Sequence, residues 1–261
     1  MAWTALRPFV LSRALEILRR EIARPRGHGE WFDFTLAFHQ RLLAPRRLRK
    51  RFALAPCQLR AEIVAWLDLV SSVQPRRVLE VGTSTGGVLF LLARAAAPDA
   101  KLVGIDLPRA TDAVGHGGVQ PWKERYFKGF AGPRQTIELV LGNSHDPATR
   151  SRVERAFGGE IDVLFIDGDH SSEGVARDFR DYAPLVRPGG LIGFHDIVPD
   201  AHTRTGVATT SDAGDVHRFW GELKRDHDVV ELVESPDQDG FGIGVIHQPG
   251  SASCARAIVR A

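Results

Sequence analysis

The chain has 261 residues, 43% hydrophobic and 25% charged, with two cysteines, Cys57 and Cys254, far apart in sequence. That length suits one α/β domain with additions. The composition excludes a wholly disordered chain, a collagen-like repeat, a disulfide scaffold and a cysteine-rich zinc site. Net charge is only +2, but residues 1–60 carry 13 Lys and Arg against 4 Asp and Glu, whereas the remainder carries 21 against 28.

That division fits either a solvated helix face or a surface for an anionic partner: a membrane surface, a phosphorylated substrate or nucleic acid. No apolar run is long enough to span a bilayer, and Arg7, Arg13, Arg19 and Arg20 interrupt any signal-peptide order. Unpaired cysteines fit a reducing compartment, so the chain reads as soluble and cytoplasmic.

The first part reads as helices. Phe9, Leu11, Leu15, Leu18 and Ile22 recur at three- and four-residue steps over 8–23, and Pro25, Gly27 and Gly29 end that helix. Residues 31–43 and 57–73 are two further helices, the last with Leu59, Ile63, Trp66, Leu67 and Val70 on one face. The cluster Arg46, Arg47, Arg49, Lys50, Arg51 lies between them.

From residue 76 short apolar runs alternate with helical stretches. Val78–Val81 enters a glycine turn and a helix over about 86–97. Lys101–Ile105 ends at Asp106, Ile137–Leu141 at Gly142-Asn143-Ser144, Ile161–Ile166 at Asp167, and Leu191–Phe194 at His195-Asp196. Strands separated by helices imply a doubly wound, mostly parallel α/β sheet of Rossmann type with helices on both faces. Val229–Val233 and Phe241–Ile246 flank Ser235–Gly240 as a C-terminal hairpin, an antiparallel edge. The polar residues at the strand ends sit where such sheets bind ligands.

The turn Glu80-Val81-Gly82-Thr83-Ser84-Thr85-Gly86-Gly87 brings backbone and free helix N–H groups close to a ligand. It has no lysine, which excludes a P-loop, and Ser84 breaks the G-x-G-x-x-G dinucleotide pattern. With an acid before the first glycine and Asp106 after the next strand, the pattern resembles the class I S-adenosylmethionine (SAM)-dependent methyltransferases. The resemblance runs over about 60–248 and is nearest the macrocin-type sugar O-methyltransferase and cephalosporin-hydroxylase-like branch. Its carriers are Leu79–Thr83, Phe165-Ile166-Asp167-Gly168-Asp169-His170-Ser171, Pro184–Ile192, His195-Asp196 and Gly214–Trp220. It implies residues 1–56 as a basic helical segment, 57–250 as the methyltransferase domain and 251–261 as a tail.

The resemblance further implies SAM contacts at Glu80, Gly82, Thr83, Ser84 and Asp106, the last accepting from the ribose hydroxyls. Gly142-Asn143-Ser144-His145-Asp146 matches a Gly-x-Ser-Gln-Asp segment of catechol-type enzymes that lines the adenine, which assigns Ser144 to the adenine and adds Asn143 to the cofactor contacts; His145 replaces the family glutamine.

If the sheet is as expected, Asp167 and His195-Asp196 end neighbouring strands and can gather around Mg²⁺ or another divalent cation. Related metal-dependent enzymes carry an acid after strand four and an acid–acid or acid–Asn pair after strand five; here the first member of the pair is His195, which suits Mn²⁺, Fe²⁺ or Zn²⁺ better than Mg²⁺. Asp167 and His170 are the catalytic assignments, with His170 taking the acceptor proton.

The expected activity is O-methylation of a small hydroxylated molecule, a sugar or specialised metabolite. The alternatives are a SAM-fold protein without methyl transfer, hydroxylase-like or merely binding, and a nucleic-acid module led by residues 1–60. No recognition motif supports the last, so no specific nucleic acid is expected. A homo-oligomer is compatible with the sequence. The long loops 107–133, with Trp122, Arg125, Tyr126, Phe127 and Phe130, and 197–214 are expected, with the basic N-terminal helices, to shape the acceptor pocket.

Overall fold

The computed structural model describes residues 2–109 and 118–249; Cys254 and the expected tail lie outside them. Seven strands form one sheet: β1 (Arg77–Val81), β2 (Lys101–Asp106), β3 (Thr136–Leu141), β4 (Ile161–Ile166), β5 (Val186–His195), β6 (Val229–Leu232) and β7 (Ile243–His247). Their order is β3-β2-β1-β4-β5-β7-β6. The first five pair in parallel, while β7 runs antiparallel between β5 and β6. The expected hairpin is therefore present, but its second strand is internal and only β6 forms the edge.

Successive strand residues face opposite sides, so each apolar run feeds two cores. Val78, Leu102, Phe165, Leu191 and Val245 enter one. Their chain neighbours Leu79, Val103, Leu164, Ile192 and Ile246 enter the other. This is why these strands show continuous apolar runs rather than alternation. On β7, Gly244 leaves room for the indole of Trp220; a Cβ there would lie 2.6 Å from the ring.

The first core is covered by α1 (Ala2–Ile22), α2 (His28–Ala37), α4 (Arg60–Ser72) and α5 (Gly87–Ala95), while the short α3 (Arg46–Arg49), with no buried residue, lies against α1. Trp31, Phe34, Phe38 and Phe52 pack in the same cluster as Trp66 and Phe90. Part of the N-terminal positive charge serves the fold: Glu21, 1% exposed, pairs with Arg20, Arg24, Arg26 and Arg41. Several cations around one buried carboxylate offset the cost of taking it out of water.

The loop 107–133 differs from expectation. It contains α6 (Lys123–Lys128), whose Tyr126 and Phe127 are buried, as is Phe130. Tyr126 O–H donates to the carbonyl of Phe52 at 2.8 Å, and the rings of Phe127 and Phe130 fill the space beside Gly86. These aromatics hold the core together rather than forming a lid.

The second core is covered by α7 (Pro147–Phe157), α8 (Ser172–Tyr182) and α10 (Val216–Leu223); the short α9 (Ala201–Thr205) follows β5. Asp146 and Ser171 cap α7 and α8 by accepting from Ala148 N–H and Gly174 N–H, which fixes where each chain leaves the strand end. After β3 the chain crosses β2 and β1 to reach β4, so the sheet reverses its winding between β1 and β4. Ligands bind at the carboxyl ends of strands beside such a point.

Candidate active site

A cavity of about 790 Å³ opens there. Gly82, Ser84, Asp106, Asn143 and Ser144 line it, and so do Asp167, His170, His195 and Asp196. Residues from five strand ends thus meet around one space. Glu80 and Thr83 do not reach the lining. Glu80 is 1% exposed with one carboxylate oxygen unpartnered, and burial pushes its carboxyl well above the usual range against a hydrogen bond from Thr83. Thr83 is likewise buried, its hydroxyl donating to the Ile105 carbonyl at 3.3 Å.

The glycine turn is forced by close approach. Gly82 has φ +90°, and a Cβ on it would lie 1.9 Å from the Asp167 carbonyl oxygen. Its N–H and that of Thr83 donate to the Ile105 carbonyl, docking the turn on β2. Asp106 accepts from the backbone N–H of Ser84 at 2.5 Å and of Leu107 at 2.7 Å. Burial raises its pKa, opposed by those N–H groups. Asn143 Oδ1 accepts from His145 N–H, and Tyr182 O–H donates to the Ser144 carbonyl.

At the other end, Asp167, His170 and Asp196 each offer a ligand atom, all within 4.8 Å of one another. The ring of His195, 4% exposed, puts Nδ1 at 3.1 Å from both Asp167 Oδ1 and Asp196 Oδ2, while its Nε2 is buried without a partner. His170, which sequence reading assigned to proton transfer alone, thus joins the two acids as a possible metal ligand. Two carboxylates and one imidazole are an N,O donor set that fits a divalent cation.

His170 is held by its backbone and its ring. Nδ1–H donates to the Asp212 carbonyl, Nε2 lies 3.7 Å from Asp167 Oδ1, and its own carbonyl accepts from Asp215 N–H. Hydrogen bonding and charge from Asp167 raise its pKa to about 9, against burial. For Asp167, burial is outweighed by His195 and His170, which hold its pKa at about 2. His195 is likewise raised: burial opposes, but Asp167 and Asp196 prevail.

Three non-glycine residues on the cavity wall have positive φ: Ser84 (+45°), Asp196 (+61°) and Phe241 (+62°). Such backbone is costly and persists where the surroundings fix it. Here Phe241 N–H donates to Asp196 Oδ1, and Glu62 of α4 accepts from Glu234, Gln238 and Gly242, holding the hairpin loop against the site.

Sequence reading missed Cys57, Gln58 and Phe241. Gln58 Nε2 donates to Asp167 Oδ2, and the others line the cavity. The loop 197–214 was expected at the pocket and reaches it only through residues 210–212. The loop 107–133 reaches it through Leu107 and Gly118; among the described residues, none from 1–56 or 122–130 lines it.

This strand order, with a glycine turn after β1 and carboxylates after β2 and β4, is the class I methyltransferase fold, and residues 79–197 match the Methyltransferase domain family Methyltransf_24. Within that class the chain is similar to O-methyltransferases. It is 26% identical over 192 residues to the catechol O-methyltransferase of Mycobacterium tuberculosis, covering 74% of this chain and 76% of that one. The O-methyltransferase TomG from Streptomyces achromogenes, solved with SAM, superposes with a TM-score of 0.53 and 22% identity over 85% of this chain and all of TomG. The methyltransferase MycE of the mycinamycin pathway, solved with Mg and SAH, gives a TM-score of 0.51 and 18% identity over 87% of this chain and 56% of MycE. Coverage of relatives varies widely: the chain spans only 18% of an uncharacterized Sinorhizobium fredii protein that it matches at 26% identity over 184 residues. No helix among the described residues is long and apolar enough to cross a membrane.

Proposed function

We propose that this protein transfers the methyl group of SAM to a hydroxyl of a small molecule, a sugar or specialised metabolite, with a divalent cation assisting. The observation that carries this reading is that Asp106 and the Asp167–His170–Asp196 cluster face one cavity. One end is fitted to hold a nucleoside and the other to handle a proton, as methylation of a hydroxyl requires.

SAM supplies an electrophilic methyl group. Asp106 keeps acceptor capacity beyond its three backbone donors, Ser84, Leu107 and Gly118, and can take the ribose hydroxyls. The Gly82 turn lets the backbone come close, and Asn143 and Ser144 border the same space. A divalent cation bound by Asp167, His170 or His195, and Asp196 would lower the pKa of an acceptor hydroxyl.

The chain's own residues place and receive the proton. Asp212 fixes the tautomer of His170, leaving Nε2 turned toward Asp167. With Asp167 and Asp196 uncompensated, His170 stays protonated near neutrality and is a poor base. Neutralising those carboxylates frees Nε2 to accept a proton. Fixing two reactants in one cavity supplies much of the remaining rate.

The test is calorimetry with SAM, with and without Mg²⁺ or Mn²⁺, followed by SAH release with hydroxylated acceptors before and after exhaustive chelation. SAM binding with chelator-sensitive turnover is the expected result. No SAM binding rejects the reading, and full turnover in excess EDTA rejects the cation.

A further inference from the structure

Acidic side chains outnumber basic ones on the cavity wall. Asp106, Asp167, Asp169, Asp196 and Asp212 all line it, while no Lys or Arg does among the described residues. The imbalance stands out in a chain with slightly more bases than acids overall. Inward from the rim, His195 lines the same space with its ring Nε2 buried and unpartnered, so the wall carries polar capacity that the protein does not itself use.

The five carboxylates are not equivalent. Asp106 is engaged by the N–H groups of Ser84 and Leu107. Asp167 and Asp196 face His170 and His195. Asp169 and Asp212 are exposed and flank His170: one precedes it in the chain, the other accepts its Nδ1–H through the backbone carbonyl. Asp169 Oδ1 accepts from Ser171 N–H, which fixes its carboxylate at the start of α8. A cleft lined by one sign of charge focuses its field on whatever enters.

We propose that the cavity selects its acceptor by charge, through Asp169 and Asp212: it takes neutral or amine-bearing hydroxylated compounds and excludes phosphorylated and carboxylated ones. The acceptor aspect rests on the methyl-transfer reading; the field that produces it does not. A phosphate or carboxylate entering here meets no Lys or Arg and must lose water beside like charges, while the rings of His170 and His195 are already engaged by Asp167 and Asp196. An ammonium group gains two carboxylate partners, and a neutral polyol finds acceptors for its hydroxyls as well as the ring of Phe241.

Cys57 makes the field measurable without any acceptor, because it is an exposed free thiol on the same wall. In a Cys254→Ser background, its rates of modification by cationic, neutral and anionic methanethiosulfonates are compared, each normalised to a free thiol. The cation should react at least roughly tenfold faster than the anion, the ratio that a difference of about 1.4 kcal/mol produces. The ratio should shrink in 0.5 M NaCl and in the Asp169→Asn/Asp212→Asn double variant. A ratio of one or below, or one unmoved by the double variant, overturns the proposal.

A second arm measures kcat/KM with SAM and Mg²⁺ for dopamine, 4-methylcatechol and 3,4-dihydroxybenzoate, and for methyl glycosides of glucosamine, glucose and glucuronate. An anionic member turned over as fast as its cationic counterpart overturns the proposal. If none of the six is turned over, the thiol ratio decides alone. Failure to bind SAM in calorimetry sinks the methyl-transfer reading and leaves the thiol ratio standing.

Discussion

Gln58 Nε2 donates a 2.8 Å hydrogen bond to Asp167 Oδ2, joining the segment that leads into α4 to the residue that follows β4. Gln58 is 5% exposed and its Oε1 has no partner, while Asp167 Oδ1 is held from the other side by His195. Both oxygens of a proposed metal ligand are thus oriented by neighbours. Loss of such outer partners typically costs on the order of 10- to 100-fold in metal affinity. Gln58→Ala should weaken Mn²⁺ binding by about that factor with SAM affinity kept, and Gln58→Glu, which loses the same donor but adds a negative charge beside the cation, should lose less. Unchanged Mn²⁺ affinity in Gln58→Ala would show that Asp167 is set by β4 alone.

Asp106 gives a second expectation. Hydrogen bonds to a charged acceptor contribute about 1.5–3 kcal/mol. Asp106→Ala should therefore lower SAM affinity by at least roughly tenfold, measured by calorimetry. Asp106→Asn keeps one acceptor oxygen and should fall between. Because Asp106 also receives Ser84 and Leu107 N–H groups, a thermal melt separates loss of a ligand contact from loosening of the turn.

Much of the site was legible because a parallel sheet forces its strand ends together. Asp106, Asn143, Asp167 and Asp196 each follow an apolar run, and that pattern alone placed them on one edge. The residues that sequence missed come from elsewhere. Gln58 and Phe241 reach the site only because α4 and the hairpin loop are tied by Glu62, a long-range contact with no local signature. Tyr126, Phe127 and Phe130 were expected to shape the acceptor pocket because a six-residue helix is too short to show a period, and their partners lie in the N-terminal segment and beside α5. The position of β7 inside the sheet followed from pairing with β5, which hairpin spacing does not encode.

Asp178 carries a pH expectation for stability. It is fully buried, neither carboxylate oxygen has a hydrogen bond, and His145 Nε2 lies 3.3 Å away. Burial raises its pKa to about 6, opposed by Ser144 and His145. The folded state then binds the proton more tightly than the unfolded chain, so stability falls as pH rises from about 4 to 6 and is level above. The loss is on the order of 2–3 kcal/mol for a shift of this size. Thermal melts between pH 4 and 7 should show this slope in the wild type and a flatter one in Asp178→Asn. Equal slopes would move the titration to another group.

His170 links proton and cation. In the metal-free protein Asp167 raises its pKa to about 9, so its protonated form contributes stability that is complete below about 6.5 and is lost as pH rises through 9. A cation that uses Nε2 must displace that proton. Its affinity should therefore climb with pH, about tenfold per unit, and level near pH 9. Both follow from the same proton: the melting-temperature gap between Mn²⁺-loaded and metal-free protein should widen from pH 6.5 to 9 as the metal-free protein loses that stability. His170→Asn should flatten the widening, lower methyl transfer by about 10²- to 10⁴-fold and leave SAM affinity nearly unchanged. Should the gap stay constant with pH in the wild type, His170 is no ligand and His195 takes its place beside the acids. The variant's rate then reports proton transfer alone.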